Sequence, residues 1–393
     1  MTKKTREQLN CTECNLQVKL QRLAVGEKAM CPRCGCILMA NHAEAFERIL
    51  AFAIAALILL FLSLSFDFVS LHYQGQVHTI RLLDTYFILH EQNYLIIALL
   101  LVITIIAFPL IVLCSLLYLI FFINNNHYPL KGLIIARVVL ALLPWSMAEI
   151  FLIGVLVSLI KISTMANVSL GLSFYAYVLF SICYIAAIQF IDKQNLINKL
   201  MMLKTKKQSF ENLPSEIVEE GKSSKNSYGN VASIQQTWAL LITSFFLYFP
   251  ANLLPIMTTR SLGKEELNTI LGGVIVLWQS GSYPIAIVIF IASIVVPVIK
   301  FVVLAWLNYS VQQQSNEFQL QRAQLYRITE FIGRWSMIDI FAVAILSSLI
   351  QLGTTMTIHP GHAAMAFCGV VILTMFAANT FDSTLIWKKK TTL

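Results

Sequence analysis

Charge is scarce in this sequence. Only 12% of its residues are Asp, Glu, Lys or Arg, 58% are hydrophobic, and the mean hydropathy is +0.73. A soluble domain carries about 25% charged residues, so a water-facing globule is excluded. Catalytic signatures are missing too. No Gly-rich phosphate loop, Walker sequence or nucleophile–base motif occurs, which argues against an ATP-driven motor and against an enzyme. The first 48 residues are polar and hold no n-region, short apolar stretch and small-residue cleavage site in order; no cleavable signal peptide is expected. Histidines near one face (His72, His78, His90, His359 and His362) lack the spacing of a metal pair.

What is present is long apolar runs. A bilayer core of about 30 Å takes about 20 helical residues. Eight stretches qualify: 47–66, 94–123, 133–160, 170–191, 238–258, 283–307, 335–352 and 362–387. The second is over-long and is expected to tilt or project. The apolar but short, glycine-containing stretch 267–278 is expected to be re-entrant or interfacial. Lys and Arg set the orientation. Segments 1–48, 124–132, 192–237, 308–334 and 388–393 carry 8, 1, 7, 3 and 3 of them, whereas 67–93, 161–169, 259–282 and 353–361 carry 1, 1, 2 and none. A bias of 22 against 4 places both termini and segment 192–237 in the cytoplasm. The formal +8 is then inner-leaflet charge and no nucleic-acid surface.

Residues 1–45 hold a compact cysteine module, Cys11-x2-Cys14 and Cys31-Pro-Arg-Cys34-Gly. Two such knuckles offer four thiolates to one metal and predict a zinc ribbon with ligands Cys11, Cys14, Cys31 and Cys34. A four-thiolate set leaves no open position, so the metal is expected to be structural Zn2+, one per chain. Rubredoxin-type iron and a redox dithiol are the alternatives. Cys36 can substitute for Cys34, but the x2 spacing favours Cys34. A cytoplasmic position argues against disulfides.

The membrane body carries an internal repeat. Trp145-Ser-Met-Ala-Glu149-Ile-Phe151 matches Trp335-Ser-Met-Ile-Asp339-Ile-Phe341 at an offset of 190, Asp192 matches Asp382 at 190, and Pro109 matches Pro297 at 188. With four spans in each half, the repeats share one orientation. The expected fold is an all-α polytopic membrane protein: two tandem four-helix transmembrane repeats, 46–198 and 238–393, behind the ribbon. Segment 199–237, rich in Lys, Glu, Ser and Asn, reads as a flexible connector. The halves have diverged. Phe249-Pro-Ala-Asn-Leu-Leu-Pro255 is expected to break or bend the fifth helix, and the first half has no proline there.

An ionisable group in a bilayer costs at least about 2.5–3.5 kcal/mol and usually turns inward. Lys300, with Ser293 two turns earlier, lies in the sixth span; Ser336 and Asp339 share a face of the seventh; Thr374 is mid-eighth. These five are expected to converge as a proton-sensitive polar network. The alternatives are structural. Lys300 can snorkel, the hydroxyls can bond to their own helices, Asp339 can pair with Arg334, and Glu149 and Arg137 can pair with each other or with neighbours. Trp145 and Trp335 fit either an interfacial belt or packing between halves.

The cytoplasmic ribbon, the repeated Trp-Ser-Met segment, Phe249–Pro255 and Leu277-Trp-Gln-Ser-Gly281 together resemble the paraquat-inducible protein A family, closest to its lipophilic envelope-spanning tunnel A branch. The resemblance covers nearly the whole chain. It implies tetraspanin-like membrane halves with small periplasmic strand-bearing elements. It also implies a Gram-negative inner-membrane location, and transport of phospholipid with an MCE-domain tunnel protein as partner. Ser293, Lys300, Ser336 and Thr374 match the family's polar network. One departure is plain: the family commonly has a second cysteine ribbon between the halves, and 192–237 contains no cysteine. Two other functions compete. A non-transporting scaffold that anchors the tunnel would tolerate loss of the intramembrane polar groups. A redox enzyme would need a reactive thiol, which a closed four-ligand set does not offer.

Overall fold

The computed structural model describes residues 7–20, 23–24, 26–40, 45–73, 76–163, 167–210, 227–261, 264–279, 281–313, 318–351 and 356–387. Two hairpins, β1 (Glu7–Asn10) with β2 (Gln17–Leu20) and β3 (Lys28–Met30) with β4 (Ile37–Ala40), carry the cysteines at their tips. The rest is mostly helix: α1 (Ala45–Ser65), α2 (Asp84–Glu91), α3 (Leu95–Asn124), α4 (Gly132–Ser163), α5 (Leu172–Gln189), α6 (Lys193–Phe210), α7 (Ser227–Leu253), α8 (Ile270–Gln279), α9 (Tyr283–Gln312), α10 (Gln319–Leu349) and α11 (His362–Thr380). A short 3-10 turn, Ser383–Trp387, follows.

Among the described residues, seven helices (α1, α3, α4, α5, α9, α10 and α11) are long and apolar enough to cross a membrane. The chain is a multi-pass membrane protein. The eighth expected span, 238–258, falls on α7, which is not one of the seven. It is 27 residues long, but Thr237, Thr243, Ser244, Tyr248, Pro250 and Asn252 dilute its apolar character, and it ends at Leu253. Its hydroxyls bond to its own carbonyls, Thr243 to Ala239 and Ser244 to Leu241, and it packs along α11.

Other bounds also differ. The third expected span is interrupted in α4 by a 3-10 turn at Leu143–Trp145, because Pro144 cannot continue the α ladder. The seventh begins far earlier than 335, at Gln319, since its polar N-terminal part is helical without being apolar. The eighth ends at Thr380. Residues 199–210 and 227–237 of the expected connector are helical; 211–226 lie outside the described residues. The stretch expected to be re-entrant or interfacial forms α8.

Elements recur along the chain. A hairpin of β5 (Val69–Tyr73) and β6 (Gln76–Ile80) is completed by β7 (Asn167–Leu170), in sheet order β6-β5-β7. In the later part, β8 (Met257–Ser261) and β9 (Lys264–Asn268) are completed by β10 (Met356–Pro360), in order β9-β8-β10. Both sheets are antiparallel; Val69 faces Ile80 and Leu170, and Met257 faces Asn268 and Pro360. Helices α3 and α9 each contain one wide π turn, Ile103–Ala107 and Ile291–Val295, just before Pro109 and Pro297. Proline cannot donate to the carbonyl four residues back. The wide turn absorbs the mismatch: the Phe108 and Val296 amides bond five residues back, to Ile103 and Ile291.

The core is centred on α10, whose apolar window is 83% buried, the highest share of the seven. It packs on the second part of α4. Gly154 permits the approach, since a Cβ there would lie 2.9 Å from Phe341 Cβ and 3.1 Å from the Ile338 carbonyl. Small residues at membrane helix contacts serve this purpose. Phe151 and Phe341 meet edge-on at 5.7 Å, and Ser158 Oγ donates to Ala342 O at 3.1 Å. Trp145 packs on Phe376 at 4.9 Å.

The 21 residues of α1 rise about 32 Å at 1.5 Å per residue. They separate the cysteine module at one end of the molecule from the β5–β7 sheet at the other. The module is clamped at its own end. Arg327 of α10 donates to Glu13 at 2.9 Å and to the Cys34 carbonyl at 2.6 Å. Arg33 stacks over Trp387 at 4.7 Å, and the Ala40 amide donates to Asp192 at 2.8 Å.

Candidate metal centre and intramembrane polar site

The two knuckles are built alike. In each, the first cysteine's carbonyl accepts a 2.9 Å bond from the amide four residues on, Asn15 to Cys11 and Gly35 to Cys31. Its own amide donates five residues on, Cys11 to Leu16 at 2.9 Å and Cys31 to Cys36 at 2.8 Å. The turn needs positive φ after the second cysteine. Gly35 supplies it at 71°, and Asn15, a side chain that tolerates this region, at 54°.

The four sulfurs of Cys11, Cys14, Cys31 and Cys34 are buried and all lie within 4.8 Å of one another. Cys11–Cys34 and Cys14–Cys31 are both 3.5 Å apart. A tetrahedral thiolate site with metal–sulfur bonds of about 2.3 Å spaces its sulfurs about 3.8 Å apart. The donor set therefore fits a metal ion. Burial pushes the Cys14, Cys34 and Cys36 thiols up. For Cys11 burial acts the same way, but hydrogen bonds from the Cys14 backbone, the Cys36 thiol and the Glu13 backbone outweigh it and bring the group down to about 7. So crowded a set of sulfurs is stable as thiolates only beside a cation. Cys36 Sγ lies 3.2 Å from Cys11 Sγ, a fifth sulfur outside the four-fold set.

The second site lies where α9, α10 and α11 meet. All five expected residues are buried, but they divide into separate contacts. Ser293, in the π turn of α9, has its single hydroxyl proton within reach of two acceptors, the Asp339 carboxylate and Ile289 O, the latter at 2.6 Å. Lys300, two turns on, donates to Thr374 Oγ1 at 2.8 Å and approaches Gly333 O at 3.5 Å. Gly333 is small enough to admit it: a Cβ there would stand 3.1 Å from Nζ. Thr374 passes its own proton to Val371 O at 3.0 Å. Ser336 Oγ is buried with no hydrogen-bond partner. Among the described residues no ion pair joins Lys300 to Asp339.

The cation that bears on Asp339 lies just past the third expected span. Lys161, in the last turn of α4, interacts electrostatically with Asp339, and both line a cavity of about 50 Å³ beside β8 and α8. Its signal was the same as for Lys300, a lone lysine in the apolar run Ile150–Ile162. Arg334 pairs with Glu149 at 3.7 Å, so Glu149 takes its partner from a neighbouring helix, and the alternative of Arg334 with Asp339 is corrected. On the cysteine-module side, a cavity of about 760 Å³ has Lys300 in its wall, with Lys193, Arg327, Arg334, Glu149 and Glu330 around it. The stretch Gly333–Asp339 thus lies between two cavities, with Arg334 lining the larger and Asp339 the smaller.

A family model described as paraquat-inducible protein A matches residues 46–200 and 234–391. The chain belongs to that family. It is 38% identical over 400 aligned residues to "Intermembrane transport protein PqiA" of Escherichia coli (strain K12), covering 97% of this chain and 95% of the relative. It is 29% identical to "Probable intermembrane transport protein" of Haemophilus influenzae, again over 97% and 95%. The expected branch is among the relatives: "Lipophilic envelope-spanning tunnel protein A" of Escherichia coli (strain K12) is 26% identical over 96% of this chain and 90% of that protein. Identity to the PqiA protein is higher. No solved structure matches the chain. For the family the informative features are therefore the matched membrane body and the cysteine module ahead of it.

Proposed function

We propose that this chain is the inner-membrane component of an MCE-type lipid transport system. It loads phospholipid into, or receives it from, a periplasmic MCE-domain tunnel partner. The relatives' names, intermembrane transport protein and envelope-spanning tunnel protein, support the transport class. The observation that carries the reading is the buried polar set of α9–α11, placed between cavities on opposite sides of Gly333–Asp339. Polar groups so deep in an apolar bundle are costly and are kept for a pathway. Ser293, Lys300, Ser336, Asp339 and Thr374, with Lys161 added, form the transport network. Protonation of Asp339 or deprotonation of Lys300 switches it and couples transport to the proton gradient.

The architecture behind this is two tandem four-helix repeats, 46–198 and 238–393, joined through 199–237, with both termini cytoplasmic. Two like-ordered sheets, two π turns before prolines and contact between the repeat-equivalent Phe151 and Phe341 support it. Contact of equivalent residues is what a pseudo-two-fold axis between repeats requires. The metal is structural Zn2+, one per chain, on Cys11, Cys14, Cys31 and Cys34. Purification from native membranes, with mass spectrometry of what accompanies the chain, tests the reading. An MCE-domain protein and phospholipid should co-purify; an MCE-domain protein without lipid favours the scaffold, and neither sinks the reading.

A further inference from the structure

We infer that the cavity of about 760 Å³ on the cysteine-module side binds the phosphate headgroup of a phospholipid, with Lys300 as the cation that receives it. The inference rests on the transport reading and adds a headgroup site and an entry point. Charges in the cavity wall are unevenly satisfied. Arg327 is held by Glu13 and the Cys34 carbonyl. Arg334 faces Glu149, and Glu330 lies within the field of Lys193 and Arg334. Lys300 differs. It is 2% exposed, and the acceptors of its ammonium, Thr374 Oγ1 and Gly333 O, are both neutral. An ammonium has three donors, and a buried one persists as a cation only with a counter-charge. In its cationic form Lys300 is open to a counter-charge from the cavity side, where the space is.

The rest of the cavity suits an amphiphile. Ile185 and Ile188 of α5 and Met375 and Ala378 of α11 form apolar walls, against which acyl chains can lie. Arg334 and Lys193 stand near enough to the same space to add long-range attraction for an anion. Phosphate accepts charge-assisted bonds from lysine as from a point charge. A free sugar or a neutral lipid would leave Lys300 unmatched.

The test uses the full-length chain, delipidated in detergent and titrated under native mass spectrometry. Its probes are phosphatidylglycerol, phosphatidylethanolamine, diacylglycerol with the same acyl chains, and inorganic phosphate. Both phospholipids should bind about tenfold more tightly than diacylglycerol, as one charge-assisted bond implies. Lys300→Met should erase that preference, Lys193→Gln should weaken it, and excess inorganic phosphate should not displace the lipid. Displacement by phosphate would reassign the site to the free anion. Equal binding of diacylglycerol by the wild-type chain overturns the headgroup site while leaving lipid transport intact, and needs no variant to fold. Retention of the preference in Lys300→Met, with its metal content unchanged, overturns it as well. Absence of any lipid binding removes the transport reading together with the site.

Discussion

Single residues decide where the elements of this protein can meet. Gly171 and Gly361 sit 190 positions apart, each between a strand and the start of a helix. A Cβ on either would collide with a backbone carbonyl, at 1.9 Å from Asp67 O and 2.0 Å from Pro255 O. Neither contact can relax by turning a side chain. Gly171→Ala and Gly361→Ala should each destabilise by about 1–3 kcal/mol, as overpacking does. The check is thermal unfolding of the detergent-solubilised chain, with Gly273→Ala, where a Cβ meets nothing within 4 Å, as the comparison. Equal melting of all three would show these junctions to be looser than described. At this scale the sequence was partly legible. A lone lysine in an apolar run announced the buried Lys300, whereas i,i+3 spacing did not show that Ser336 lies in a 3-10 turn and that Asp339 meets Ser293 instead. Which charge meets which was not legible, because Lys161, Arg334 and Glu149 find partners on other helices, and helical spacing constrains only neighbours on the same one.

The cysteine module illustrates what an element shows by itself and what it does not. Its ligands could be read from spacing, since the knuckle turn is local and each hairpin closes on its own hydrogen bonds. Its seat could not, because Arg327, Trp387 and Asp192 are contributed from far along the chain. The long helices behave in the same way. Apolar length marked seven of them; α10 begins in a polar stretch, so hydropathy misplaced its start, and α7 mixes hydroxyls with aromatics and falls below the other seven in apolar character. Metal analysis should find about one zinc per chain, as a closed four-thiolate set holds, and Cys11→Ser combined with Cys34→Ser should lose it. Iron at that stoichiometry would change the metal assigned. Loss of metal should also expose residues 10–40 to protease, since at small sites metal binding is folding free energy. Arg327→Ala should give a different pattern: metal retained, but faster cleavage between the module and α1, because the clamp on Glu13 and Cys34 is gone.

Orientation and transport belong to the whole molecule. The Lys and Arg bias and the separation of the cysteine module from both sheets make one prediction together. Single cysteines placed in 67–93 and 259–282 should be labelled from the periplasm by an impermeant reagent, and those in 199–237 should not. Periplasmic labelling of 199–237 would invert the proposed topology. The transport test follows from the asymmetry between halves. At the repeat offset of 188 the counterparts of Ser293 and Lys300 are Ile105 and Val112, and at 190 the counterpart of Thr374 is Tyr184, so the earlier half has no equivalent of the Lys300 site. Lys300→Ala, Ser293→Ala, Ser336→Ala, Asp339→Asn and Thr374→Val should therefore impair outer-membrane integrity, in a strain without redundant transport systems, while leaving the chain in the membrane. Ser181→Ala is the fitting control, because Ser181 lies on α5 in the earlier half and lines neither cavity. Ser158→Ala is not, since that hydroxyl reaches Ala342 O on α10. Lys161→Ala adds a second dimension. It strips Asp339 of its cation without touching the Lys300 cavity, so it should impair transport yet leave phospholipid binding at Lys300 unchanged. Normal integrity in all five network variants would leave these polar groups a structural role, and a membrane anchor for the tunnel would then be the better description.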